Sequence, residues 1–550
     1  MAKPTLYSQE MIEQYRSRGY WDTVTYADIW NQRAMDCPDK EAVVDARTRI
    51  TWAEAKRWTD RIALGLLERG FKKDEMLVVQ LPNWAELILF RIACEKAGVL
   101  CLPAPWALRH KEMAYILQKV HAAGIVIPWE YHGFNHVEMV GKIRPGLAGL
   151  KHIFVLGDNI PPGSVSVEEM AKRPIEEKYP AGYLEQTRYG AQEYSGVRLT
   201  TGSAGFPKFV ETPICGLVYY ARMYAQACRL SADDICGNFV PAPTGPNVLS
   251  NMSAPLVGAK IVMLERFKAN DALRLIEKER ITIVGVVPTM LSLMIDDPDF
   301  ETYDLGSLRA VLVTGAPLPP SLAVKAEEKI GPIVPYYGTV DFGGITAPFV
   351  DAPREVRLFT VNRIVAGTQV KLLDGQGSET APGEIGELTV KGPTCNSGFH
   401  QDPEATWQIW SKDGWFRSGD LARFDKEGNL VIVGRVKDVI IRGGQNILPG
   451  EVEKLLLEHP KVADVTIVGM PDAVMGERAC AYVVPGKGQH FSFDEMVNFL
   501  REKNIAAYKL PERLEIVDQF PLLPGSPKVD KKLLVRDIIN KLSTEKKGLL

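Results

Sequence analysis

Through the first two-thirds of the chain, short β-branched runs alternate with stretches whose apolar positions recur every three or four residues. "EAVVDARTRITW" reads as a hairpin, and "TWAEAKRWTDRIALGLLERG" has the spacing of an amphipathic helix closed by Gly70. "EMLVVQL" has an unbroken apolar run at its centre, the pattern of a strand covered on both faces. The rhythm returns in "KIVML", "ANDALRLIEKER", "ITIVGVV" and "RAVLVTG". Such alternation predicts parallel sheets flanked by helices, with ligands held in the loops at the carboxyl ends of strands. From Glu384 the texture turns to β, in "GEIGELTVKGP" and in "GWFRSGDLARFDKEGNLVIVGR" with its "DKEGN" turn. Beyond "GRVKDVIIRGG" a compact α+β pattern follows: "LPGEVEKLLLEH", "VADVTIVG", "ACAYVVP", "SFDEMVNFLREK" and a lysine-rich tail. The expected class is α/β, in two units. Residues 1–436 form a large domain of parallel-rich sheets with a β subdomain, and residues 437–550 a small mobile α+β domain.

Composition narrows the function by exclusion. At 550 residues the chain is too long for one compact unit. Its formal net charge of -3, with acids and bases interspersed, argues against nucleic acid as a main partner. The longest apolar runs fall far short of a membrane span, and "MAKPTLYSQEM" has no secretory pattern, so a cytoplasmic location is expected. The eight cysteines lack a C-x-x-C pair and are expected as buried small hydrophobes; the eight histidines show no metal-ligand spacing.

The chemistry concentrates in loops. "LTTGSAGFPKF" sets a glycine-rich turn between two strand patterns, where backbone N–H groups, the hydroxyls of Thr200, Thr201 and Ser203, and the Lys208 cation would face an anion. Gly202 and Gly205 lack the spacing of a P-loop, and a polar hairpin has a similar composition. Its company decides: "VTGAPLPP", "YYGTVD", "GWFRSGDL", "GRVKDVIIRGGQNILPGEVE" and "LLPGSPKVDKK" follow in a fixed order. Together these segments resemble the adenylate-forming superfamily of acyl-CoA synthetases, aryl-acid AMP ligases and peptide-synthetase adenylation domains. "YRSRGYWDTVTYADIW" and "VVQLPNWAELILF" resemble its 2,3-dihydroxybenzoate- and salicylate-AMP ligase branch and the related carbocyclic-acid CoA ligases.

The resemblance implies a carboxylic acid, ATP and Mg²⁺ as reactants, and a thiol, normally that of coenzyme A, as acceptor. Thr200, Thr201, Gly202, Ser203, Gly205 and Lys208 would close over the phosphates, and Gly315, Ala316 and Pro317 would flank adenine. Tyr337 would stack on adenine beside Gly338 and Thr339; Asp420 would accept from both ribose hydroxyls, with Arg435 near ribose and phosphates. Asp341 falls at the Mg²⁺ position, where the family has glutamate, and Lys528 at the catalytic lysine of the first step. Lys437 falls at the hinge, and Gly443 and Gly444 would line the thiol's approach. Three departures stand out: Ala204 for a threonine, Val340 for another, and Ser526-Pro527 where glycine usually precedes the lysine.

The acid pocket is expected at Thr244, Gly245 and Asn247, and at Gly343 and Gly344. Thr244 and Gly245 replace a histidine and the asparagine that meets a ring hydroxyl in the dihydroxybenzoate branch, and Gly344 replaces a bulkier residue. A lost polar partner and extra room imply an unhydroxylated ring acid, benzoate or a cyclohexane- or cyclohexene-carboxylate. The alternatives are an aryl-acid AMP ligase that loads a carrier protein, with Asn247 serving the ring hydroxyl, and a catalytically silent nucleotide- or acyl-binding protein.

Overall fold

The structure, a computed structural model, describes residues 6–200, 207–241, 247–443, 445–472, 474–523 and 528–547. Two seven-stranded sheets organise the N-terminal part. In the first, Ile333–Pro335, Ala310–Val313, Ile283–Val286, Ile235–Asn238, Lys260–Met263 and Glu41–Val44 run parallel, and the Glu41–Val44/Arg49–Thr51 hairpin closes one edge. In the second, Tyr194–Leu199, Leu100–Pro103, Met76–Val79, Gly124–Pro128, His152–Leu156 and Val165–Ser166 are parallel, and Phe209–Pro213 adds an antiparallel edge. Strands buried on both faces are apolar throughout, as in Met76–Val79 and Ile283–Val286.

The helix Ala85–Ala97 lies at the centre of this core: every residue in it except Arg91 is buried. A helix enclosed all round is expected to be apolar on every face, yet this one carries buried charges, each with a partner. Lys96 donates to Asp60 at 2.6 Å and to Thr59 at 2.9 Å. Glu95 accepts from the Ala27 N–H at 2.8 Å and the Ser195 hydroxyl at 2.9 Å. The helix Trp52–Glu68 beside it opens with a reciprocal cap between Thr51 and Glu54.

The β region begins earlier than its texture indicates. Gln369–Leu373, Gly386–Lys391, Phe416–Phe424 and Leu430–Arg435 form a four-stranded antiparallel sheet, the last two joined through "DKEGN". After it, Gln445–Ile447, Ile440–Arg442, Gly476–Pro485, Val462–Asp472 and Arg513–Ile516 make a five-stranded sheet. The helices Pro449–Leu456 and Phe493–Glu502 share one apolar cluster with it. The lysine-rich tail is more than a tail. It folds as the helix Lys531–Lys547, whose Leu534 and Ile538, one turn apart, pack against Val468, Met470 and Tyr482. Among the described residues no helix is long and apolar enough to cross a membrane. All eight cysteines are free thiols, Cys37 half-buried and the others buried.

Candidate active site

Where the four-stranded sheet ends, cross-strand pairing sets Asp420 opposite Arg435. The Arg435 Nε lies 2.9 Å from Asp420 Oδ1, and the Tyr337 hydroxyl donates to Oδ2. The Asp420 N–H donates to Ser418 Oγ at 3.0 Å, which fixes the acidic turn. Asp420 is only 4 % exposed, so its charge is bound to be met by donors. Burial, then the Asp420 carboxylate, pushes the Tyr337 phenol well above its ordinary range. The Tyr337 ring, expected against adenine, is tilted against Phe342 with centroids 5.9 Å apart.

Gly338–Thr339 pairs with Gly343–Gly344 in a small hairpin whose tip carries Val340, Asp341 and Phe342. Phe342 is buried, and the Asn396 amide donates to the Val340 carbonyl at 2.7 Å, so the tip is anchored on both sides of Asp341. Gly343 has φ +95°, and a Cβ there would stand 2.4 Å from the Thr394 carbonyl oxygen; no other residue fits. Burial raises the Asp341 carboxyl, opposed by the nearby cations Lys208, Lys528 and Arg435. Lys528 reaches this centre from the C-terminal part. Burial and then Arg435 lower its amine, whereas Asp420 and Asp341 pull the other way. Lys437, in the short turn Val436–Asp438, is lowered likewise by burial and then by Arg435. The fold therefore gathers Lys208, Asp341, Asp420, Arg435, Lys437 and Lys528, drawn from segments more than 300 residues apart, round one point.

The glycine-rich stretch joins antiparallel strands, with Leu199 opposite Phe209. Thr200 and Lys208 close it: the Thr200 N–H donates to the Lys208 carbonyl at 3.0 Å, and the Lys208 N–H to Thr200 Oγ1 at 3.1 Å. The Lys208 ammonium sits 4.5 Å from the Phe399 ring centroid. Thr201, Gly202, Ser203 and Gly205 lie outside the described residues, as do Ala204, Thr244, Gly245, Gly444 and Pro527. Gly315, Ala316 and Pro317 are exposed just beyond the carboxyl end of Ala310–Val313. The Gly443 N–H donates to the Met475 carbonyl at 2.8 Å. Asn247 is buried, its amide 3.5 Å from the Pro241 carbonyl.

Beside the hairpin is a cavity of about 30 Å³, lined by Arg198, Leu217, Tyr220, Val248, Tyr336 and the paired glycines, with Thr314, Thr339 and Thr394 at its rim. One expectation fails here. Gly344 does not enlarge the pocket: a Cβ on it would fall 1.9 Å from Tyr220 Cζ, because the Tyr220 ring occupies that volume. The Tyr220 hydroxyl donates to the Thr346 carbonyl at 2.9 Å, which holds the ring against the glycine. Close packing transfers the volume to a neighbour instead of leaving it empty. Arg198, Tyr220 and Tyr336 were not among the residues expected from sequence. The one available signal was an arginine inside the buried strand pattern "VRLTT", where a charge needs a reason.

The fold and this cluster of charges define a nucleotide-dependent ligase. The chain belongs to the AMP-binding enzyme family: residues 30–400 match the AMP-binding enzyme model, and residues 451–524 match the AMP-binding enzyme C-terminal domain. It is 30% identical to the medium-chain fatty-acid–CoA ligase of Escherichia coli K12, covering 98% of this chain and 95% of that protein. It is 29% identical to the 2,3-dihydroxybenzoate-AMP ligase of Bacillus subtilis, over 98% of each chain. Among solved structures, the anthranilate CoA ligase AuaEII with anthranoyl-AMP has the same fold, with a TM-score of 0.84 at 22% identity over 95% of this chain and 98% of that one. Apo MbtA of Mycobacterium smegmatis superposes with a TM-score of 0.70 at 28% identity, over 97% and 99%. The protein is an adenylate-forming ligase, which activates a carboxylic acid with ATP.

Proposed function

We propose that the chain is an AMP-forming acid–CoA ligase for a compact carbocyclic acid, of the benzoate or cyclohexane- or cyclohexene-carboxylate type. A carboxylate oxygen attacks the α-phosphorus of ATP; the bond to the β-phosphate oxygen breaks, and pyrophosphate leaves with its electron pair. The CoA thiol, losing its proton, then attacks the acyl carbon and AMP departs. The observation that carries the reading is the convergence of Lys528 with Asp341, Asp420 and Arg435. Bringing one carboxylate against a triphosphate needs fixed positive charge, and Lys528 supplies it to both reacting oxygens. Asp420, its Oδ atoms already met by Arg435 and Tyr337, retains lone pairs for ribose hydroxyls. Lys208 holds the outer phosphates at the exit of the glycine-rich turn.

The donor set suits Mg²⁺ carried in with the nucleotide. Asp341 offers one hard oxygen, and phosphate oxygens of the nucleotide and water would complete the shell. Asp341 would hold the ion, which supplies charge neutralisation to the phosphates. The compact acid is supported by the tyrosines Tyr220 and Tyr336 in the cavity wall.

In the same reading residues 1–436 and 437–550 are the two domains, and Lys437 is the hinge between them. Gly443 and Gly444 line the thiol's path. The test is ATP–pyrophosphate exchange across a panel of acids, followed by thioester formation with free CoA. Exchange without thioester would move the assignment to a ligase that loads a carrier protein; no exchange with any acid would overturn it. Lys437→Pro removes an N–H and restrains φ, so it should preserve one half-reaction and cut the other about 10-fold or more.

A further inference from the structure

The cavity that receives the acid is not electrically neutral. Arg198 is half-buried on the strand Tyr194–Leu199 and opens onto the cavity, between Tyr220 and the Gly338–Gly344 hairpin. Among the described residues its one side-chain acceptor is the Met252 sulfur, 3.5 Å from Nη2, a weak partner for a guanidinium. Beside it is a second cation, Arg91, the single residue of the central helix that is not fully buried. The Arg91 guanidinium lies over the Tyr26 ring at 4.4 Å from the centroid, and its Nη1 is buried with no hydrogen-bond partner. Burial, reinforced by Arg91, lowers the Arg198 guanidinium to about 10, still charged at neutral pH.

Among the described residues the nearby charges make no ion pair with either arginine. Glu95, which also faces the Tyr26 hydroxyl, is taken by the Ala27 N–H and the Ser195 hydroxyl. Arg222, the third cation near Tyr26, is matched by Asp22 at 2.5 Å. No carboxylate of the described residues pairs with Arg198 or Arg91, and the segments outside them contain neither Asp nor Glu. Two like charges in a low-dielectric interior are costly unless an anion joins them. The cavity side of Arg198 is where an anion can enter.

We propose that Arg198, with Arg91 beside it, binds a second carboxylate of the acid substrate, on the part of the molecule remote from the carboxylate that is adenylated. The inference rests on the acid–CoA ligase reading and narrows its substrate to a compact dicarboxylic acid. An arginine fork recognises a carboxylate through paired N–H donors, so it selects for the second charge as well as for shape. A monoacid would leave the Arg198 guanidinium without a carboxylate partner, the larger penalty in such discrimination.

The experiment compares kcat/KM in acid-dependent ATP–pyrophosphate exchange for matched pairs: benzoate against isophthalate and terephthalate, and cyclohexanecarboxylate against its dicarboxylate analogues. The wild-type protein should prefer a diacid by about 10²-fold. Arg198→Met should lower the diacid value by about that factor and leave the monoacid within a few-fold, and Arg198→Lys should restore part of the loss. Equal loss for both acids would assign Arg198 to the shared carboxylate or to the fold, and overturn the proposal. So would a wild-type preference for the monoacid, which is decisive even if the variants do not fold. Exchange with monoacids only refutes the second carboxylate and spares the ligase reading. No exchange with any acid refutes both.

Discussion

Two groups of charges in this molecule are built on opposite terms. In and beside the central helix, Lys96 and Glu95 are each met by a partner. Lys96 meets Asp60, and at the sheet edge Glu279 is shared by Arg49 at 2.8 Å and Lys260 at 3.1 Å. Round Asp341 and Asp420, by contrast, Lys208, Arg435, Lys437 and Lys528 outnumber the carboxylates, and Arg198, which lines the adjoining cavity, and Arg91 beside it pair with no carboxylate of the described residues. Balanced charges hold the fold, because a charge left alone in the interior is expensive. Unbalanced charges are tolerated where a polyanionic ligand supplies the missing sign. The contrast separates charges paired within the fold from charges that outnumber their partners.

Exchanging one charge from each group should break the comparison most sharply. Lys528→Ala should cut acyl-adenylate formation by about 10²–10³-fold, while CoA still captures pre-made acyl-adenylate and the folding stability stays within about 0.5 kcal/mol. Equal losses in both half-reactions would return Lys528 to the structural group. Lys96→Met should do the reverse. It leaves Asp60 with Lys56 alone, and the urea unfolding curve should show a loss of about 2–3 kcal/mol with kcat unchanged at low temperature.

The wall between the two regions can be tested at Gly344. Gly344→Ala sets a methyl group 1.9 Å from Tyr220 and must displace the ring, at a cost of about 1–3 kcal/mol. Together with Tyr220→Leu the cost should shrink, since the double variant restores the space. Additive effects in that cycle would mean that the two positions do not touch.

The smallest effect is a pH dependence of the balanced group. Hydrogen bonding to Arg49 is the main cause that depresses the Glu279 carboxyl, from 4.5 to about 2. The folded value lies below the unfolded one, so the stabilisation is complete above 4.5 and is lost as pH falls toward 2. Arg49 is half exposed and solvent screens the pair, so Glu279→Gln should flatten acid destabilisation only modestly. Unfolding midpoints measured through that window would show it. A variant as acid-sensitive as wild type would place the pairing outside the stability balance.

Much of the scaffold was legible because it rests on local rules. "EMLVVQL" and "ITIVGVV" declare strands enclosed on both faces, "DKEGN" declares the turn between the strands that carry Asp420 and Arg435, and "TWAEAKRWTDRIALGLLERG" declares an amphipathic helix. Residues in short, patterned motifs, such as Asp420 and Asp341, could therefore be singled out along the chain. The tail was harder to read. "VDKKLLVRDIINKL" is rich in lysine, and only the docking of Leu534 and Ile538 against Tyr482 reveals it as a helix of the C-terminal core.

The cavity beside the Gly338–Gly344 hairpin was decided by tertiary structure alone. Periodicity reports that a face is buried, but not what covers it. The volume freed at Gly344 belongs to whichever neighbour reaches it, and that neighbour, Tyr220, comes from a helix more than 100 residues earlier. Whether a charge is paired is likewise a property of space. Lys96 and Arg91 stand five positions apart on one helix; the first points at Asp60, and the second, beside Arg198, meets no carboxylate. The sequence determined the strands, the turns and the chemistry available at each turn. Only the packing of distant segments decided which volumes are filled and which charges remain for a ligand.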